Sequence, residues 1–289
     1  MEHLPPLREV IARHRLSARK GLGQNFILDL NLTRKIVRAA GDLNGVHVIE
    51  VGPGPGGLTR ALLESLAASV IVIELDSRAV AAMEELSGVA KGRLNIIEGD
   101  AIDFDIATVP APRAIIANLP YHVASQLLIG WLKRASELQS ITIMLQKEMA
   151  QRLAGRPRTP AYGRLSVMCQ WLCEVKVLFD VPPSAFVPPP KVTSSIVQLV
   201  PRHCRPQEDN SDENDGLLRS SAPRDDEVSF EQMEKTVALA FSQRRKMLKG
   251  ILNAAGYDGE KLMAKIDAPV TARAEELSAA QFQLLAALL

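Results

Sequence analysis

Val46-His47-Val48-Ile49-Glu50-Val51-Gly52-Pro53-Gly54-Pro55-Gly56-Gly57-Leu58-Thr59-Arg60-Ala61-Leu62-Leu63 decides the fold. An apolar run enters a glycine loop and leaves as a helical pattern, the strand–loop–helix opening of a nucleotide-binding α/β sheet. Glycine at those positions lets backbone come close to a ligand at the end of the first strand. Gly52, Gly54 and Gly57 also satisfy the dinucleotide spacing G-x-G-x-x-G, but Pro53 and Pro55 stiffen the loop and weaken the case for a nicotinamide cofactor.

Working outward, Val70-Ile71-Val72-Ile73 reads as the next strand and ends in Glu74, where a carboxylate can take both hydroxyls of a ribose. Leu94-Asn95-Ile96-Ile97 reads as a third strand, followed by Glu98-Gly99-Asp100, whose Asp100 can accept the amino group of an adenine. These acids point to an adenosine-bearing ligand without choosing between NAD and S-adenosylmethionine, and they also suit solvated strand ends. The choice comes from Asn118-Leu119-Pro120-Tyr121, which follows the apolar run Ala114–Ala117 and precedes a helical pattern from His122.

The exocyclic amine of a purine is a poor nucleophile because its lone pair is delocalised into the ring. The Asn118 side-chain oxygen and the Leu119 carbonyl can accept its two hydrogens and steer the nitrogen toward tetrahedral geometry. Pro120 lacks an N–H and biases Leu119 toward an extended backbone, holding that carbonyl in place. Tyr121 offers an aromatic face for a base taken out of its helix. This motif has no role in hydride transfer, although Asn and Pro are also ordinary turn residues.

Together these residues resemble the bacterial small-subunit (16S) ribosomal RNA adenine N6,N6-dimethyltransferases. The resemblance runs from Lys20-Gly21-Leu22-Gly23-Gln24-Asn25-Phe26-Ile27 through the glycine loop, Ile73–Asp76, Gly99-Asp100 and Asn118–Tyr121. It continues in Leu145–Glu148, Ala161-Tyr162-Gly163-Arg164-Leu165-Ser166-Val167, Val181–Val192 and Phe241-Ser242-Gln243-Arg244-Arg245-Lys246. It implies S-adenosylmethionine as cofactor, contacted by Asn25, Ile27, Gly52, Gly54, Glu74, Asp100 and Asn118. Catalysis would fall to Asn118, Leu119, Pro120 and Tyr121, with Phe186 as a second aromatic facing Tyr121 across the target base. The implied substrate is two adjacent adenosines in a loop near the 3′ end of 16S rRNA, within an immature small ribosomal subunit, with a role in its maturation. Two other readings stay open: a 23S rRNA adenine methyltransferase of the antibiotic-resistance branch, and a ribosome assembly factor that binds RNA without catalysis.

The expected fold is α/β: a Rossmann-like, doubly wound methyltransferase sheet with a small C-terminal all-helical domain. Further strands are expected at Ser140–Leu145 and Thr193–Val200, and amphipathic helices at Phe230–Ala240 and Arg245–Ala255, with Ser278 capping a last helix. The expected domains are 1–205 for cofactor binding, 206–228 as an acidic flexible linker and 229–289 as the helical domain.

The chain has 289 residues, 47% of them hydrophobic, enough for one large core and a smaller one. Its net charge of +1 hides an asymmetry. Gln207–Glu227 carries eight acids and two arginines, leaving the rest with 32 basic and 25 acidic side chains, a basic body suited to phosphates. Arg13, His14, Arg15, Arg19 and Lys20 form one basic cluster, and Arg244, Arg245, Lys246 and Lys249 form another, expected on a helix. Cys169, Cys173 and Cys204 lack paired metal-ligand spacing, so they read as reduced core residues and no metal is expected. No signal-peptide pattern or apolar stretch of ~20 residues is seen, which leads to an expected cytoplasmic protein without a membrane partner. Nothing in the sequence requires more than a monomer.

Overall fold

The computed structural model describes residues 4–16, 25–204 and 228–289, with the side chain of Cys204 left aside. Lys20–Gln24, Arg19 and residues 206–227 of the acidic linker lie outside the described residues, while Val228, its expected last residue, is buried in the helical core. Contacts divide the chain into two compact units: residues 1–150 with 176–201, and residues 151–175 with 202–289.

The first unit is built on a sheet. Its strands are β1 (Phe26–Ile27), β2 (His47–Val51), β3 (Ser69–Glu74), β4 (Leu94–Glu98), β5 (Arg113–Asn118), β6 (Ser140–Gln146), β7 (Cys173–Val181), β8 (Phe186–Val187) and β9 (Ser194–Pro201). Seven of them form the main sheet in the order β4-β3-β2-β5-β6-β9-β7, while β1 and β8 pair separately. The pairs β4–β3, β3–β2, β2–β5 and β5–β6 are parallel, and β9 returns antiparallel to β6. Helices Gly57–Glu64, Ser77–Ser87 and Ala124–Leu132 connect successive parallel strands.

The central strands are continuous β-branched and apolar runs because both faces are covered. Val48, Val70, Val72, Ala114, Ile115, Ile116, Ile141 and Ile143 are all fully buried. Burying each Val or Ile side chain contributes about 1.5–3 kcal/mol, which fixes the register that carries the site.

That register decides where ligands go. The chain runs β2, β3, β4 outward on one side, then returns to place β5 against the other side of β2. The strand order reverses between β2 and β5, and the crevice at the carboxyl ends of such a pair is where α/β sheets bind ligands. Gly52 follows β2 and Asn118 ends β5.

The second unit holds the helices Arg164–Leu172, Phe230–Ala240, Leu248–Ala254, Gly259–Lys265 and Ala279–Leu288. Ser229 and Ser278 cap two of these, accepting from the amides of Gln232 and Gln281. Its core joins two stretches whose role was not apparent from their composition. Tyr162 is buried and donates to the Leu277 carbonyl at 2.7 Å, and its ring meets Phe241, which stacks on Phe282. Arg244 bonds the carbonyls of Pro160 and Tyr162 and pairs with Glu275.

Two expectations differ. A cut at residue 205 assigns Gln151–Val175 to the sheet unit, whereas these residues cluster with the C-terminal helices because Tyr162, Val167, Met168 and Trp171 complete that core. The helix expected from Arg245 begins at Leu248, since Met247 forms a β-bridge with Arg273, so only Lys249 of the second basic cluster is helical. Cys169 lies inside the helix Arg164–Leu172 and Cys173 opens β7; both are buried, reduced thiols, as expected of core residues.

Candidate active site

A cavity opens at the switch point, lined by the glycine loop, the ends of β2, β3 and β5, and the segment around β1. Of the expected site residues, Asn25, Ile27, Gly52, Gly54, Glu74, Asp100, Asn118, Leu119, Pro120 and Tyr121 all line it.

The loop is held by geometry that needs glycine. Gly54 has φ of +54°, and a Cβ there would stand 2.9 Å from the Phe26 ring. Gly57 opens the following helix so close to β1 that a Cβ would lie 2.8 Å from the Ile27 carbonyl oxygen. Gly52 N–H donates to the Ile73 carbonyl and Gly54 N–H to Glu74 Oε2 at 3.3 Å, tying the loop to the end of β3.

Glu74 is 7% exposed, and its other oxygen accepts from the amides of Leu75 and Asp76, each at 2.9 Å. Burial raises its pKa, opposed by those backbone donors. Asp100 closes its turn by accepting from the Ile102 amide at 2.9 Å.

Asn118 sits at the last position of β5, opposite Met144 of β6. Its Nδ2 donates to the Asn25 carbonyl at 3.2 Å, which fixes the flip of the carboxamide and leaves Oδ1 as the end able to receive hydrogens. Leu119 is buried, and Tyr121 lies in the turn beyond Pro120 with its hydroxyl 2.7 Å from Ser194 Oγ.

Two further findings depart from the sequence reading. Phe186 does not line the cavity: it is 3% exposed, paired with Ile27 across the β1–β8 ladder and packed in the core. Glu50, read only as part of a strand, does line it. Glu50 is 1% exposed, and its Oε2 has no hydrogen-bond partner among the described residues. Burial pushes its carboxyl up to about 8; a hydrogen bond with Thr59 opposes this and the charge of Glu74 adds to it. An acid inside the apolar run Val48–Val51 was the available signal.

A buried, unpartnered carboxyl oxygen suits a ligand that brings a hydrogen-bond donor or positive charge, and Glu74 beside it suits a diol. S-adenosylmethionine carries an ammonium, a sulfonium and a ribose diol, so the donor set present fits it. A family model for ribosomal RNA adenine dimethylase matches residues 15–288. The chain belongs to this family.

Within the adenine dimethylase family, it is 53% identical to the "Ribosomal RNA small subunit methyltransferase A" of Rhodospirillum rubrum, covering 98% of this chain and 92% of the relative. Identity to the protein of that name from Paramagnetospirillum magneticum is 50%, covering 99% and 95%. Among solved structures, a dimethyladenosine transferase from Plasmodium falciparum matches with a TM-score of 0.69 at 26% identity, covering 89% of this chain and 94% of that one. The 23S rRNA methyltransferase ErmE matches with 0.65 at 25%, covering 91% and 98%. Among the described residues no helix is long and apolar enough to cross a membrane.

The basic clusters contribute less free charge than their composition suggested. Arg13 pairs with Glu9 and Glu85, and His14 Nε2 lies 3.0 Å from Glu85. Arg244 is committed to Glu275 and to backbone carbonyls.

Proposed function

We propose that this chain methylates N6 of adenosines in small-subunit ribosomal RNA, using S-adenosylmethionine as donor. The observation that carries this reading is Asn118: an uncharged carboxamide at the switch point, in one cavity with Glu50 and Glu74, with its nitrogen committed to Asn25. Family membership and the small-subunit names of relatives at about half identity support the substrate class.

Bound in this cavity, S-adenosylmethionine supplies an electrophilic methyl on a sulfonium, a good leaving group. The residues therefore need to align and desolvate rather than deprotonate strongly. Glu74 would take the ribose, Asp100 the adenine, and Glu50 the cationic end of the donor. Asn118 Oδ1 and the Leu119 carbonyl accept the two amine hydrogens, aiming the nitrogen's lone pair at the methyl. Tyr121 stacks on the flipped base. Methyl transfer would form the nitrogen–carbon bond as the donor's carbon–sulfur bond breaks, with the amine proton lost to solvent afterwards. A second round on the same nitrogen yields N6,N6-dimethyladenosine. The finer substrate in this proposal is two adjacent adenosines near the 3′ end of 16S rRNA in an immature subunit, modified by a cytoplasmic monomer.

The test is transfer of labelled methyl to undermethylated small subunits, with large subunits alongside, followed by nucleoside analysis. N6,N6-dimethyladenosine confined to small-subunit RNA is the expected result. Label in large-subunit RNA would move the chain to the ErmE-like activity, and tight subunit binding without transfer would make it an assembly factor.

A further inference from the structure

We propose that Ser194 is a positioning residue for the base platform: its hydroxyl holds the Tyr121 ring in the orientation that stacks the target adenine. This rests on the reading of Tyr121 given above. Tyr121 sits in a turn outside any strand, half-buried at the cavity, and two torsions leave a ring there free to swing. Its phenol oxygen lies 2.7 Å from Ser194 Oγ, and one of the two hydroxyls donates to the other.

Ser194 is fitted to act as an anchor. It is fully buried at the first position of β9 and faces Gln146 across the β6–β9 ladder. On one side, the Lys147 amide donates to the Thr193 carbonyl at 3.0 Å. On the other, Ser195 Oγ donates to Asp180 Oδ1 at 2.6 Å, and Asp180 is paired with Lys147. The hydroxyl that meets Tyr121 is therefore fixed by backbone and side-chain bonds on both flanks, none of which touches the cofactor loop. A ring held this way has given up its torsional freedom before the base arrives, which lowers the cost of stacking.

The bond is removed from either end with little disturbance. Ser194→Ala deletes one buried oxygen, and Tyr121→Phe deletes its partner without altering any fully buried position. Single-turnover methylation of undermethylated small subunits is measured for the full chain, both variants, the double variant and Tyr121→Ala, with S-adenosylmethionine affinity measured by titration. Each single hydroxyl deletion is expected to slow transfer about three- to tenfold, the loss of one hydrogen bond. The double variant should be no slower than either single variant. S-adenosylmethionine affinity and KM for the subunit should stay within about twofold, since RNA affinity comes chiefly from phosphate contacts. Ser194→Ala slowing the Tyr121→Phe enzyme as much as the wild type would overturn the inference, because the serine would then act independently of the phenol. An unchanged rate in Ser194→Ala beside a slow Tyr121→Ala would also overturn it, with the platform intact. An unchanged rate in Tyr121→Ala would refute the platform and this inference together.

Discussion

Replacing Glu50 by Gln should make the sheet unit more stable at neutral pH and flatten its pH dependence. In the fold burial pushes the Glu50 carboxyl up to about 8, against an ordinary value of 4.5. It binds its proton more tightly folded than unfolded. The stability this lends is complete below about pH 4.5 and is lost as pH rises through about 8. At pH 7 the unfolded chain has gained from ionising through about 2.5 pH units, which costs the fold about 3 kcal/mol at 1.36 kcal/mol per unit. Against a typical total of about 5–15 kcal/mol, that is a large fraction. The assay is native-state hydrogen exchange of the slowest β2 and β5 amides, corrected for intrinsic rates, which reports the opening free energy of this unit alone. Between pH 5 and 7 the wild type should lose about 2–3 kcal/mol that Glu50→Gln does not. Any fixed cost of burying the Gln amide cancels in that comparison. Parallel pH profiles within about 0.5 kcal/mol would refute both the neutral, buried carboxyl and its assignment as the cofactor's waiting counter-charge.

Other perturbations separate the roles of the remaining residues. Asn118→Ala should slow single-turnover methyl transfer at saturating S-adenosylmethionine by about 10²-fold, by analogy with deleting one preorganised polar group at a reacting centre; an unchanged rate would end its assignment. Asn118→Asp should be as slow at pH 7, because its second oxygen would face the Asn25 carbonyl acceptor that Nδ2 now bonds at 3.2 Å; wild-type transfer would show that the fixed flip is unimportant. Gly57→Ala should weaken cofactor binding at least about tenfold in calorimetric titration, since its Cβ would press on backbone 2.8 Å away and shift the loop. Tyr162→Phe should destabilise the helical unit by about 1–3 kcal/mol in hydrogen exchange of its slowest amides, leaving the buried Leu277 carbonyl without its donor.

The sheet was legible because its signal is local. Runs such as Val70–Ile73 and Ala114–Ala117 are apolar on both faces, and each strand that was read lies within two residues of its bounds at either end; β7, whose Cys173–Val181 is only partly buried and mixes charge with apolar residues, was not read at all. The convergence of the candidate site was legible for a related reason: in a parallel sheet, residues at or just after the carboxyl end of each strand share one edge, so Gly52, Glu74, Asp100 and Asn118 come to line one cavity. What escaped the sequence is set by non-local packing. Ala161–Val167 precedes the last sheet strand in the chain, yet Tyr162 belongs with Leu277 and Phe282 more than a hundred residues on. Arg245–Met247 carries helix-compatible residues, but a bridge to Arg273 claims that backbone. Phe186 was placed by resemblance at the base, whereas its pairing with Ile27 turns it into the core.

The cavity's polarity follows from the same topology and explains why its two ends need different chemistry. The ends of β2 and β3 contribute carboxyls, Glu50 and Glu74, close enough that the charge of one raises the pKa of the other. That end accepts positive charge readily, and binding a cation relieves their mutual repulsion. The end of β5 and the turn beyond it contribute an amide, a carbonyl and a phenol rather than a carboxylate. A carboxylate there would compete for the cationic donor and hold the methylated amine after transfer. The Asn25 carbonyl excludes it independently, because that acceptor requires a donor opposite, and a carboxylate has none unless it takes up a proton. One backbone oxygen in the segment leading into β1 therefore favours asparagine over aspartate, which in the proposed reaction keeps a carboxylate away from the nucleophile while Glu50 and Glu74 face the donor.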